Sequence, residues 1–250
     1  MVRFVTASVS EKQGRPENQD ALGQVAGDGW GAWVVADGLG GHHGGGEAAR
    51  LAVDAVLNSL KSRPGCSPEA VHAHLEAAQK AVLARQRLSL ELRDMRTTVV
   101  LVLADHTTAV AGHLGDSRFY HFRRGQVIFR TKDHSVAQAL VNAGELSPAK
   151  LRDHEDRHRL LRALGAEEDF RPAISEPREL MVGDALLLCT DGFWGQLMDP
   201  ELETALRGAA TPQEWLSRLM LKIKSQTTSE ADNCTAIGIF LEDDQESSRV

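Results

Sequence analysis

The stretch that most constrains this chain is Trp30 to Ala49, WGAWVVADGLGGHHGGGEAA. An apolar run from Ala32 to Ala36 has the composition of a strand and Asp37 ends it. A turn built mostly of glycine follows, and helical spacing begins near Glu47. Glycine adopts backbone angles that side chains forbid, so such a turn lets peptide carbonyls approach a small ligand. A carboxylate at the strand end suggests a hard cation, because Mg²⁺ and Mn²⁺ prefer carboxylate and carbonyl oxygens. Taken alone, the stretch is equally readable as a surface loop whose aspartate caps a turn or helix.

With 250 residues the chain can bury a sizeable core as one large domain or two small ones. No run of roughly 18 apolar residues exists, and MVRFVTASVSEK lacks the long apolar segment of a secretory signal. A cytoplasmic location with no membrane span is therefore expected. A formal charge of −7 disfavours nucleic acid as the main partner. Cys66, Cys189 and Cys234 lack metal-ligand spacing, and their odd number argues against a disulfide framework. Cys189 and Cys234 lie in apolar runs and read as buried thiols.

In chain order, Arg3 to Ser8 and Ala21 to Ala26 read as strands around SEKQGRPENQD, which carries Arg15, Asn18 and Asp20. Glu47 to Leu60 is helical. Ser67 and Pro68 then form a cap and first turn for a helix from Glu69 to about Leu92. His72 and His74 on it do not share a face, which disfavours a metal pair. From Arg96 the period becomes that of strands: TTVVLVLA, TAVAGHLG, SRFYHFRR and QVIFRT read as an antiparallel meander, with Asp116 between the second and third. Asp133 to Gly144 reads as a short helix and Ser147 to Gly165 as a second, very charged one. Ala173 to Leu180 and Asp184 to Cys189 read as strands, the latter delivering Thr190, Asp191 and Gly192. Pro200 to Arg207 and Thr211 to Lys224 are amphipathic helices, a polar loop ends at Asp232, and CTAIGIFL is a last strand before a polar tail. Strands and helices do not alternate, and neither a repeat nor a linker divides the chain. One α+β domain of mainly antiparallel sheet with helices packed outside is the expectation.

Asp20, Asp37, Asp116, Asp191 and Asp232 each sit at a strand end or in a turn beside one. Carboxylates gathered in one place repel one another unless cations neutralise them, so a fold that joins these loops requires divalent metal.

GRPENQD, VVADGLGGH, LGDSRFY, TKDHS, LLLCTDGFWGQL and ADNCTAIGI, in this order, resemble the metal-dependent type 2C protein serine/threonine phosphatases, the PPM family, in its bacterial form. The resemblance runs from about Arg3 to Leu241, and six ordered motifs carry a specificity that none has singly. It implies a four-layer αββα sandwich of two mainly antiparallel sheets flanked by helices, with a two-metal centre at one end. It implies one catalytic domain over residues 1–241, with a flap at about 146–168, while the polar composition of residues 242–250 reads as a disordered tail. By the same resemblance Asp37 bridges both metals and the Gly38 carbonyl reaches the second. Asp191 and Asp232 hold the first metal, Asp20 supports the second, and Asp116 with Asp191 matches a third, weaker site. Arg15 matches the arginine that grips the phosphate.

The implied reaction is hydrolysis of phosphoserine and phosphothreonine in proteins, in line, by a metal-activated bridging water and without a phosphoenzyme. Two or three Mn²⁺ or Mg²⁺ ions are the cofactors. Phosphorylated proteins, themselves substrates of a serine/threonine kinase, are the partners of a monomeric enzyme.

Three departures bear on detail. Gln19 stands where many members have a glutamate, and Leu39 where eukaryotic members have a histidine proposed as general acid. HHGGGE is one residue longer than the usual bacterial turn. His42 or His43 could protonate the leaving group, against the reading that His42 fixes the turn and a metal-bound water gives the proton. Arg152, His154, Arg157, His158 and Arg159 could meet an acidic phosphopeptide or be solvated. Two competing functions stay open: a non-catalytic phosphoprotein-binding module on the same fold, and a phosphatase for small phosphate esters.

Overall fold

The computed structural model describes residues 2–27, 29–39, 44–62, 65–168, 170–226 and 228–243. In chain order the strands are β1 (Val2–Glu11), β2 (Asp20–Gly27), β3 (Trp30–Leu39), β4 (Arg96–Thr97), β5 (Val99–Asp105), β6 (Thr108–Leu114), β7 (Arg118–Arg123), β8 (Gln126–Arg130), β9 (Ala173–Ile174), β10 (Arg178–Glu179), β11 (Ala185–Cys189) and β12 (Cys234–Asp243). The helices are α1 (Gly45–Ser62), α2 (Pro68–Leu88), α3 (Val136–Asn142), α4 (Asp191–Trp194), α5 (Asp199–Arg207) and α6 (Pro212–Gln226).

Two antiparallel sheets form. One has the order β1-β12-β11-β7-β8, and the other β10-β6-β5-β3-β2, with β4 added to β3 and β9 to β6. The inner strands β3, β5 and β11 read as continuous apolar runs because both their faces are covered. In β3, Trp33 and Val35 point between the sheets, while Ala32, Val34 and Ala36 point at α1 and α2. In β11, Leu186 and Leu188 join the inter-sheet core and Leu187 and Cys189 pack with α5 and α6. The result is the expected four layers, helix, sheet, sheet, helix. Ser67 caps α2 as its sequence indicates, accepting a hydrogen bond from the Ala70 amide at 3.2 Å. No helix among the described residues is long and apolar enough to cross a membrane.

Trp33 is fully buried between the sheets; its Nε1 donates to Thr6 Oγ1 at 3.2 Å and Phe4 meets its ring edge-on at 5.1 Å. Trp33→Ala is expected to lower the unfolding free energy by roughly 3–5 kcal/mol. Urea denaturation checks it, and a change below about 1 kcal/mol would contradict this placement.

The structure departs from the sequence reading at several points; Ala173 to Leu180, for one, is not a single strand but two short ones, β9 and β10. The four-strand meander is two hairpins in different sheets, β5–β6 and β7–β8. Gly115, with φ +98°, Asp116 and Ser117 carry the chain across between them. Alternation specifies a strand but not its sheet when both faces are buried. Ser147 to Gly165 is not a helix; only Pro148–Lys150 makes a helical turn, because the charged sequence offers no apolar stripe to pack. Helix α2 stops at Leu88, ahead of a separate turn at Leu90–Leu92. The last strand runs to Asp243, and the polar residues 244–250 lie outside the described residues.

Candidate metal centre

Asp37 stands near the end of β3, where the backbone is clamped. Its amide donates to Thr98 Oγ1 at 3.0 Å, and its carbonyl accepts from the Thr98 amide and Thr97 Oγ1, each at 2.8 Å. Asp20, first residue of β2, is its register partner across the ladder. The glycine after Asp37 is demanded by space: a Cβ on Gly38 would lie 2.3 Å from the Gly45 backbone and 2.8 Å from the Gln19 carbonyl.

Asp191 follows β11 and opens α4, and Asp232 precedes β12. A Cβ on Gly192 would sit 2.0 Å from the Asn233 carbonyl, so these two segments touch backbone to backbone. Asn233 joins them to the 12–19 loop: its Oδ1 accepts from the Gln19 amide at 2.8 Å, and its Nδ2 donates to the Lys12 and Glu17 carbonyls at 3.0 and 2.9 Å. That loop presents Arg15, whose Nη2 donates to Asp232 Oδ2 at 2.9 Å with both side chains about half exposed. Asp116 completes the group from the β6–β7 crossover.

The electrostatics are those of an uncompensated acid cluster. Burial first, and then the charges of Asp20, Asp191, Asp116 and Asp232, hold the Asp37 pKa well above the ordinary carboxylate range. Burial pushes Asp20 up to about 7, with Asp191 and Asp232 adding to it, against hydrogen bonds from Thr235 and Thr190 that pull it down. Asp116 is raised by burial and then by Asp191 and Asp133. Burial also pushes Asp191 upward, but His158, a hydrogen bond from Asp37 and the Arg157 charge outweigh it, so Asp191 lies below its ordinary value. His158 Nε2 accepts from Arg157 Nε at 2.7 Å, which leaves Nδ1 to donate to Asp191 Oδ2 at 3.0 Å.

Two buried carboxylate oxygens, Asp20 Oδ1 and Asp191 Oδ1, have no hydrogen-bond partner. A buried acceptor left bare costs free energy, so each is open to a ligand that supplies positive charge. Donor atoms of Asp116, His158 and Asp191 lie within 4.8 Å of one another. The donor set is hard, apart from one imidazole, and fits Mg²⁺ or Mn²⁺. A cleft of about 310 Å³ opens here, with Arg15, Arg157, His158, Asp191 and Asp232 on its walls.

The structure thus gathers Asp20, Asp37, Asp116, Asp191 and Asp232 and brings Arg15 to their edge. His42 and His43 lie outside the described residues. Of the charged 146–168 segment only Arg157 and His158 line the cleft; Arg152 turns away, donating to the Trp194 carbonyl and to Asp199. Sequence reasoning missed two supports. His158 has no local signal for reaching Asp191, being one of several histidines in a charged run. Trp194 Nε1 holds the Asp116 carbonyl at 2.9 Å, and its ring lies 3.3 Å under the Arg118 guanidinium, itself in a buried two-point pair with Asp133 at 2.8 and 2.7 Å. Arg118, Asp133 and Trp194 all fall inside the quoted motifs, but spacing alone does not pair them.

A family model described as Protein phosphatase 2C matches residues 10–230. The serine/threonine protein phosphatase PstP of Mycobacterium tuberculosis is 33% identical over 175 residues, 70% of this chain and 34% of that protein. This chain therefore spans about a third of that relative's length. The serine/threonine phosphatase Stp of Listeria monocytogenes is 29% identical over 210 residues, 82% of each chain. Among solved structures, the catalytic domain of PstP in complex with two manganese ions superposes with a TM-score of 0.83 at 28% identity, covering 97% of this chain and all of that one.

Proposed function

Because the chain belongs to the protein phosphatase 2C family, we propose that it hydrolyses phosphoserine and phosphothreonine in proteins, using divalent cations held by its acid cluster. The observation that carries this reading is the convergence of five aspartates, two with bare buried oxygens, at one end of the sandwich. Asp37, Asp20, Asp191, Asp232 and Asp116, with the Gly38 carbonyl, would hold two or three cations, Mn²⁺ or Mg²⁺, as PstP holds two manganese ions. Bound there, the cations supply the charge that admits a phosphate dianion and the acidity that makes water nucleophilic near neutral pH.

The protein's own groups have separate tasks. Arg15 leaves Asp232 and grips the phosphoryl oxygens through its planar donors. Thr190 Oγ1 donates to Asp20 Oδ2 at 3.0 Å and fixes that carboxylate, while Asn233 fixes the loop that aims Arg15. A covalent route through sulfur is disfavoured: burial pushes the Cys234 thiol up to about 12 and raises Cys189 further, so neither is a thiolate at neutral pH. Residues 1–241 act as one catalytic domain in this reading, with 146–168 as its flap. The substrates are proteins phosphorylated by a serine/threonine kinase. Three free thiols favour a cytoplasmic setting.

The full chain is expected to hydrolyse p-nitrophenyl phosphate with Mn²⁺ and to stop when EDTA is added. Activity that survives complete chelation, or that is untouched by Asp191→Ala, sinks the proposal. Tight phosphopeptide binding without turnover at saturating Mn²⁺ points instead to a binding module, and faster turnover of metabolites than of phosphopeptides to a small-ester phosphatase.

A further inference from the structure

A second cleft, of about 600 Å³, shares no lining residue with the metal centre. Arg118, Arg130, Lys132 and Arg152 line it, together with Gln138 and Asn142 of α3, and no carboxylate is among its walls. In a chain of net charge −7 this is a local reversal of sign.

The four cations are only partly compensated. Asp133 neutralises Arg118, and Asp199 is shared between Arg130 at 3.1 Å and Arg152 at 3.4 Å. Lys132 has no side-chain partner among the described residues. Arg130 spends Nη1 on Asp199, leaving Nε and Nη2, and Asn142 accepts from Gln138 at 3.2 Å through Oδ1, leaving its Nδ2 donors. Burial first, with the like charges of Arg118 and Arg130, outweighs the pull of Tyr120 and Asp199 and holds the Arg152 pKa below its ordinary value. Val141, Pro148 and Leu151 form an apolar wall. A bare ion has no use for that wall, whereas a peptide does.

We propose that this cleft, between α3, the end of β8 and residues 148–152, is a second phosphate site, taking a tetrahedral phosphate carried on another phosphorylated residue of the substrate or free in solution. The unspent donors of Lys132, Arg130 and Asn142 are of the type that surrounds a phosphate's oxygens. The room left over accommodates the peptide that bears it. Arg118 and Arg152 lie 3.3 and 5.4 Å from the Trp194 ring, whose Nε1 holds the Asp116 carbonyl, so the cleft adjoins the metal centre through one side chain. The peptide-borne form of the proposal rests on the phosphatase reading; the phosphate site itself does not.

The test titrates the full, manganese-loaded chain with inorganic phosphate by calorimetry, for the parent and for Lys132→Glu, and measures KM for singly and doubly phosphorylated peptides and for p-nitrophenyl phosphate. The parent is expected to bind phosphate at one site more than the variant, and Lys132→Glu to raise KM roughly tenfold for the doubly phosphorylated peptide alone. Lys132→Arg should restore both. Loss of the phosphate site with peptide KM unchanged supports the site and names free phosphate as its occupant. Equal phosphate stoichiometry and affinity in parent and variant, with unchanged KM values, overturns the proposal. A parent inert towards p-nitrophenyl phosphate that still binds phosphate through Lys132 refutes the phosphatase reading and leaves the cleft standing.

Discussion

Asp37→Asn is expected to lower manganese-dependent p-nitrophenyl phosphate hydrolysis by on the order of a thousandfold or more, and at the same time to raise the melting temperature of the metal-free protein at pH 8. The two effects share one cause. Asp37 lies among four other aspartates, and its folded-state pKa is held well above the unfolded value near 3.8 by burial and by their charges. A group raised in this way contributes its full stability below the unfolded pKa and loses it as pH rises through the folded one. As pH rises above the unfolded value the Asp37 carboxyl therefore opposes folding increasingly, unless a cation sits beside it. Asparagine keeps the shape, retains a donor towards Asp191 and leaves the backbone clamp from Thr97 and Thr98 intact. It does not supply the anionic ligand. Activity and thermal melts on the same preparation check both effects; a variant that stays active, or melts below the parent, would show that Asp37 serves the fold and not a metal.

Cation binding is expected to stabilise the parent more at pH 8 than at pH 5, and to release protons near neutrality. With Asp20 at about 7 and Asp37 and Asp116 also raised, the metal-free protein holds protons at pH 5 that an unfolded chain has largely lost. Its stability falls as pH climbs towards 8, by the sign just given. A cation that binds the ionised cluster must displace those protons at low pH and meets fewer of them as pH rises. Melting curves with and without Mn²⁺ at the two pH values measure the first effect. Calorimetry at pH 7 in two buffers of different ionisation enthalpy measures the second. Buffer-independent heats, together with an equal melting shift at both pH values, would place the bound cation away from these acids.

Much of this could be read before any coordinates. The runs ending in Asp37 and Asp191 are strands because their apolar residues are buried on both faces, and a glycine after each aspartate is required by backbone contacts of 2.3 and 2.0 Å that the motif anticipates. What stayed hidden depends on distance in the chain. Nothing local to Leu114 and Arg118 says that β6 and β7 belong to different sheets. His158 reaches Asp191 across 33 positions and Asn233 reaches Lys12 across 221, so neither contact leaves a spacing to detect. The charged 147–165 segment carries helix formers that point to local order, yet its bridges to Ser135 and Thr97 tie it down as irregular chain.

The position of β12 has a consequence for assembly. It is the last strand in chain order, yet it lies inside its sheet, pairing with β1 from Val2↔Asp243 to Glu11↔Cys234 on one side and with β11 on the other. While the chain is being synthesised, β1 and β11 have no neighbour in common, and Asp232 and Asn233 are absent from the place where Arg15 must be aimed. The first ladder formed across that gap closes one of the longest loops the chain can make, a slow step by contact order. A nascent chain of this design cannot close the first sheet or assemble the acid cluster around Arg15 until β12 has emerged.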